Sequence, residues 1–242
     1  MRSAEFSCLS LLCALCVALT PTQNSRLRSK DTQAVSFDPP TLLEKTEHGG
    51  ADYLGQIVFI GDSRTYGLKQ FEMLEGGRST GQVWTPANGT MSVWDMQFQR
   101  ILYPATSEEM TCAEAAAKDE PKIVILSIGF NGFELVTREY FIAEYTKLIL
   151  SIRESSPNSL LILQSVFPVA ANYCGVTNMQ IQSLNQTIYG IACSLDIYYL
   201  NTQEVMTDES GNLKAEYTTD GCHLTPLGLD VELEYICTHQ AR

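Results

Sequence analysis

Residues 57–63 read Ile-Val-Phe-Ile-Gly-Asp-Ser, four large apolar residues that run straight into a Gly-Asp turn and a serine. A strand with one wet face alternates apolar and polar residues, whereas an unbroken apolar run suits a strand covered on both faces. The design recurs at residues 122–129 (KIVILSIG), 159–168 (SLLILQSVFP) and 196–201 (DIYYLN), and more weakly at residues 83–87 (VWTPA). Between the runs the spacing turns helical. Residues 64–74, 178–194 and 227–237 carry helical patterns, and residues 134–153 set Leu135, Phe141, Tyr145, Leu148 and Ile152 along one stripe. Residues 93–102 and 108–118 are also predicted to be helical. Strands alternating with helices build parallel βαβ units with right-handed crossovers. The expected fold class is therefore α/β, a three-layer α/β/α sandwich with about five parallel strands. In such sheets, sites form beyond the carboxyl ends of the strands.

Four segments at those ends carry polar or reactive groups. Gly61-Asp62-Ser63 follows the first strand, Asn88-Gly89 the weak second and Gly129-Phe130-Asn131-Gly132 the third. Asp220-Gly221-Cys222-His223-Leu224 lies between the last strand and the last helix. A serine hydroxyl is a poor nucleophile until a neighbouring base takes its proton. His223 is the candidate base, because imidazole titrates near neutrality. The other two histidines, His48 and His239, fall in a polar N-terminal stretch and at the C-terminus. Asp220, three residues before His223, can reach the imidazole Nδ1–H across a tight turn and stabilise the imidazolium. A tetrahedral oxyanion needs preorganised donors. The Ser63 N–H, the Gly89 N–H and the Asn131 side-chain amide are the candidates, with Gly81 as a rival to Gly89. Each block alone has a plain reading as a turn or helix cap. What carries the catalytic reading is their order, each at the end of a predicted element.

These blocks resemble those of the SGNH (GDSL-type) hydrolases. Gly61-Asp62-Ser63 matches the serine block, Gly129-x-Asn131 the asparagine block, and Asp220-x-x-His223 followed by Leu224-Thr225 the final block, with Gly89 standing for the glycine block. The resemblance runs from about residue 57 to the end. It implies the flavodoxin-like SGNH hydrolase fold, a triad of Ser63, Asp220 and His223, and an oxyanion hole of Ser63, Gly89 and Asn131. It also implies ester hydrolysis without metal or cofactor, with short acyl groups (acetyl first) on carbohydrates as the expected substrate. The same triad would serve an acyltransferase with a sugar hydroxyl in place of water. A catalytically silent glycan-binding module on this fold is a further alternative. Two residues depart from the family pattern. Gly132 stands where an aspartate often follows the asparagine, and Arg64 replaces a small or apolar residue after the serine, which leaves the substrate class open.

Bulk composition sets the remaining bounds. The chain has 242 residues, 45% hydrophobic and 18% charged, enough for one sizeable domain with a real core. Its net charge of −12 repels phosphate backbones, so no nucleic acid is expected as a partner, only a small-molecule or glycan ester. Arg2 precedes an apolar run at residues 8–19 (CLSLLCALCVAL) that suits the core of a secretory signal, with Cys16-x-Ala18 as a small-x-small pattern. Glu5 before the run and Arg26, Arg28 and Lys30 after it oppose the usual charge bias. Residues 1–20 are expected to be a signal peptide or short membrane anchor, residues 21–50 a polar linker, and residues 51–242 the hydrolase domain. The mature protein is then secreted or extracytoplasmic, without stable membrane association.

Of the eight cysteines, Cys8, Cys13 and Cys16 fall in the leader. The other five, Cys112, Cys174, Cys193, Cys222 and Cys237, have no Cys-x-x-Cys spacing to suggest zinc. An exported chain is expected to hold one or two disulfides. Cys174 and Cys222 fall on the same sheet edge and are the expected pair, bracing the loop of Asp220 and His223. Cys222 beside the triad also suits redox control. Trp84, Trp94, Phe130, Phe133 and Tyr173 lie near the site loops, where they can stack on a sugar, line an acyl pocket or pack the core. Asn88-Gly-Thr90 and Asn185-Gln-Thr187 match glycan acceptors.

Overall fold

A computed structural model describes residues 41–241. In chain order the elements are α1 (Gly50–Leu54), β1 (Ile57–Gly61), α2 (Ser63–Gln70), β2 (Val83–Trp84), β3 (Arg100–Leu102), β4 (Glu109–Thr111), α3 (Cys112–Asp119) and β5 (Ile123–Ser127). They continue with α4 (Arg138–Ser155), β6 (Leu160–Gln164), α5 (Asn178–Leu195), β7 (Tyr198–Leu200), α6 (Gln203–Met206) and α7 (Pro226–Cys237). Five strands pair in parallel in the order β2-β1-β5-β6-β7. This is the α/β sandwich that the apolar runs predict.

Every residue of β1 is buried, as a strand covered on both sides demands. Alternate residues feed two cores. Val58, Ile60, Val124, Leu126, Leu161 and Leu163 pack with Ala115 of α3, Leu148 of α4 and Ile188 of α5. Ile57, Phe59, Ile123, Ile125 and Ile162 pack with Leu68 of α2 and with Leu229, Leu233 and Ile236 of α7. Each of these valine, leucine, isoleucine and phenylalanine side chains contributes about 1.5–3 kcal/mol on burial.

Three expectations change. Residues 93–102 form no α-helix. A 3-10 turn at Met96–Phe98 leads into β3, which pairs antiparallel with β4 and buries Ile101 and Met110 on one face. Asp95 enters that turn in the left-handed region at φ 50°, and Gln99 bonds the backbone of Ser92 and Trp94, so local polar contacts replace the helical ladder. The helix expected from residue 108 starts only at Cys112, where Thr111 and Glu114 form a capping box. Residues 41–50 are not a linker. Leu43 is buried, its N–H donates to Tyr199 O at 2.9 Å, and Thr46 N–H donates to Thr238 O at 2.6 Å. The leader and residues 21–40 lie outside the described residues. Among the described residues, no helix is long and apolar enough to cross a membrane.

Candidate active site

From β1 the chain pairs β2 on one side and later β5 on the other. The carboxyl ends of β1 and β5 therefore flank the crevice of a topological switch point. Gly61 ends β1, and nothing larger fits there. A Cβ would come within 2.0 Å of Thr65 Oγ1 and 2.8 Å of Ser127 O. Asp62 then caps α2, its Oδ1 accepting the Arg64 N–H at 3.0 Å. Ser63 takes the first helical position, where its N–H has no acceptor within the helix.

The loop before α7 meets this turn. Ser63 Oγ lies 2.9 Å from His223 Nε2, and His223 Nδ1 lies 2.7 Å from Asp220 Oδ2. With its proton on Nδ1, the ring donates to Asp220 and turns the Nε2 lone pair to the hydroxyl. Asp220 Oδ1 accepts the N–H groups of Cys222 at 3.0 Å and His223 at 2.9 Å. Gly221 makes the bend at φ 91°, a conformation that costs glycine little. Burial works against the Asp220 charge, but the two backbone donors and the imidazole outweigh it and hold the carboxyl far below its usual range. His223 is pushed up to about 9, first by Cys222 Sγ, 3.3 Å from Nδ1, and then, against burial, by Asp220. The site thus favours the positive charge that the ring acquires when it takes a proton.

Two of the groups expected to face an oxyanion have partners within the fold. Gly89 lies beside the serine, with a Cβ on it falling 4.0 Å from Ser63 Cβ. Its N–H, however, donates to Pro86 O at 2.8 Å and closes a turn. Asn131 Nδ2 donates to Asp62 Oδ2 at 2.9 Å and to Met91 O at 3.2 Å. The amide ties the β5 loop to the serine turn, and it gains a free N–H for an oxyanion only by releasing the longer bond to Met91. Gly132, the departure beside it, adopts φ 84°, a left-handed backbone that favours glycine over aspartate.

Sequence reasoning missed the floor of the site. Asp62 is 1% exposed and Arg64 6% exposed. The Arg64 guanidinium stacks 3.6 Å from the Phe130 ring centroid and donates to Phe167 O at 3.0 Å. Burial raises the Asp62 carboxyl and lowers Arg64, each offset in part by the other's charge. Arg64 therefore points into the protein, and its place after the serine says nothing of the substrate. Its spacing to Leu68, four residues on and fully buried, is the one signal that marks this inward face.

All five described cysteines are free, so the expected Cys174–Cys222 bridge is not formed. Cys174 is exposed with Sγ toward Asn172 O, whereas Cys222 is buried with Sγ toward the His223 ring. Trp84 is core, but Trp94 is 45% exposed and packs on Tyr140 with ring centroids 5.4 Å apart. Phe130 and Tyr173 pair at 6.2 Å. Asn185 is buried and bonds both backbone groups of Val166, so that glycan motif is internal.

The sequence profile of the GDSL-like lipase/acylhydrolase family matches residues 59–231. Similar solved structures include a GDSL-like lipase from Bacteroides thetaiotaomicron, 21% identical over 73% of this chain and 82% of that one, with a TM-score of 0.52. A protein from Bacteroides fragilis described as an acylhydrolase is 19% identical over 73% of this chain and 81% of its own, with a TM-score of 0.55. A protein from Desulfitobacterium hafniense described as lipolytic and of the G-D-S-L family is 19% identical over 76% and 98% respectively, with a TM-score of 0.54. At these identities the likeness is one of fold. No curated protein matches the chain.

Proposed function

Since the chain belongs to the GDSL-like lipase/acylhydrolase family and is a hydrolase, we propose that it is an exported serine esterase that removes short acyl groups, acetyl first, from carbohydrates. One observation carries this reading. An unbroken hydrogen-bond chain runs from Ser63 Oγ through His223 to Asp220, with links of 2.9 Å and 2.7 Å.

In the proposed reaction Ser63 Oγ attacks the ester carbonyl while His223 Nε2 takes its proton. Asp220 holds the ring in the required tautomer and stabilises the imidazolium. The oxyanion is met by the Ser63 N–H and by the Asn131 amide once Met91 is released. The intermediate collapses, and the departing alkoxide recovers the proton from Nε2. Water, deprotonated in turn by Nε2, attacks acyl-Ser63 and frees the acid. The closeness of Gly89 to Ser63 supports a small acyl group. The exposed Trp94 ring beside the Gly132 loop supports a sugar on the alcohol side. Export rests on Arg2 and the apolar run at residues 8–19.

The test is hydrolysis of p-nitrophenyl acetate and longer esters, with Ser63→Ala alongside. Wild type should turn over, fastest on short chains, and the variant should lose at least about 1,000-fold. Equal rates in the two proteins would reject Ser63 as nucleophile. If neither turns over, failure of a fluorophosphonate to label Ser63 would reject the reading as a whole.

A further inference from the structure

We propose that Asp220, Cys222 and His223 form a binding site for a thiophilic divalent cation such as zinc or cadmium, and that filling it switches the hydrolase off. Carboxylate, thiolate and imidazole are the donors such ions take. Here one of each comes from a single loop, with the three ligand atoms within 4.8 Å of one another. Metal–ligand bonds of about 2.0–2.3 Å put tetrahedral neighbours roughly 3.3–3.6 Å apart. The Cys222 Sγ to His223 Nδ1 distance is already 3.3 Å. The Asp220 Oδ2 to Nδ1 distance of 2.7 Å needs only to open slightly. Asp220 Oδ1 can keep its bonds to the Cys222 and His223 N–H groups while Oδ2 turns to the ion. Asp220 and His223 are exposed and Cys222 is buried beneath them, so the ion enters from solvent onto a sulfur floor. The net charge of −12 draws cations toward the protein.

The switch follows from proton placement. The proposed reaction needs a proton on Nδ1 and a lone pair on Nε2. A cation on Nδ1 takes the lone pair there, so the single ring proton of neutral His223 sits on Nε2. The ring then meets Ser63 with an N–H and cannot accept its proton. The Cys222 thiol gives its proton to water, so one cation enters and one proton leaves. Inhibition rests on the catalytic reading proposed above, but cation binding does not.

The experiment uses the full chain, freed of metal with a chelator and titrated with Zn2+ and with Cd2+. Ester hydrolysis should fall with added metal and return with chelator. Cd2+ should raise an ultraviolet thiolate-to-metal charge-transfer band, and Ser63→Ala should keep it. Cys222→Ser and Cys222→Ala should lose the band and need at least about tenfold more metal for half-inhibition, each measured against its own metal-free rate. Absence of a Cys222-dependent band in wild type and in Ser63→Ala overturns the proposal, as does a band that forms while hydrolysis continues undiminished. A chain that hydrolyses no ester and takes no fluorophosphonate label on Ser63, yet forms the band, keeps the site and refutes only the catalytic reading.

Discussion

His223 sits between a carboxylate and a thiol, with Asp220 Oδ2 at 2.7 Å and Cys222 Sγ at 3.3 Å from Nδ1. Both favour the imidazolium and together push the ring up to about 9, Cys222 more strongly. A general base works only when neutral, so a raised pKa removes activity from below. In metal-free buffer, kcat/KM for ester hydrolysis should climb with pH, with the midpoint of the limb near 9 and the plateau above it. Cys222→Ala removes the largest upward contact and should shift the midpoint of that limb toward the ordinary imidazole range. An unmoved midpoint would mean that Asp220 alone sets it. Asp220→Asn should keep the loop folded and cut kcat by about 10^4, since an amide no longer selects the productive tautomer. That Ser63, Asp220 and His223 come together was legible, because all three fall at the carboxyl edge of the predicted sheet. Arg64 was not, because a charged residue reads as solvent-facing until its burial against Phe130 is seen. The partner of the Gly89 N–H was not legible, because a sequence does not tell where an N–H points, and this one closes a turn onto Pro86.

Among the elements, the strands of the parallel sheet declared themselves, β2 only weakly, and the β3–β4 hairpin did not. β1 and β5 each spend four or five residues wholly inside, which leaves an apolar run with no polar interruption. β3 and β4 have three residues apiece and one fully buried side chain each, Ile101 and Met110, too few to set a period. α7 was legible in its extent, but it carries Glu232 into the core against the end of β6. Gln164 Nε2 donates to Glu232 Oε1 at 2.7 Å and to Thr202 Oγ1 at 3.1 Å. Burial pushes Glu232 up to about 7, with Gln164 and Arg64 offsetting only part of it. The folded chain therefore holds this proton more tightly than the unfolded one, where the carboxyl titrates near 4.5. Below that value the group has no effect on stability. As pH rises through 7, the folded state must bury a charge at a cost of roughly 3 kcal/mol. Glu232→Gln keeps the acceptor for Gln164 and removes the ionisation. Its urea midpoint should exceed that of wild type at pH 8, and the gap should shrink toward pH 5. Equal midpoints at both would show that Glu232 stays protonated or finds another partner at high pH.

At the scale of the whole molecule, the sheet has to end somewhere, and β7 is the end that needs cover. An edge strand leaves backbone groups free to recruit another chain. Here Tyr199 N–H donates to Thr41 O at 2.6 Å, and its carbonyl accepts the Leu43 N–H at 2.9 Å. The same segment runs on to α7, where Thr46 and Gly49 donate to Thr238 O and Cys237 O. Residues 41–50 thus cap the edge and bind the two ends of the described chain together. The sequence hid this, because backbone pairing imposes no side-chain pattern and only Leu42 and Leu43 are apolar there. The consequence is measurable with two truncated chains, one starting at Thr41 and one at Ala51. The shorter chain gives up the burial of Leu43, worth about 2 kcal/mol, together with the backbone bonds to Tyr199, Thr238 and Cys237. Its urea midpoint should fall by roughly 1 M or more. The uncovered β7 edge should also make it self-associate in sedimentation as the concentration rises. Equal midpoints and equal sedimentation for the two chains would mean that the segment merely lies on the domain and that β7 protects its own edge.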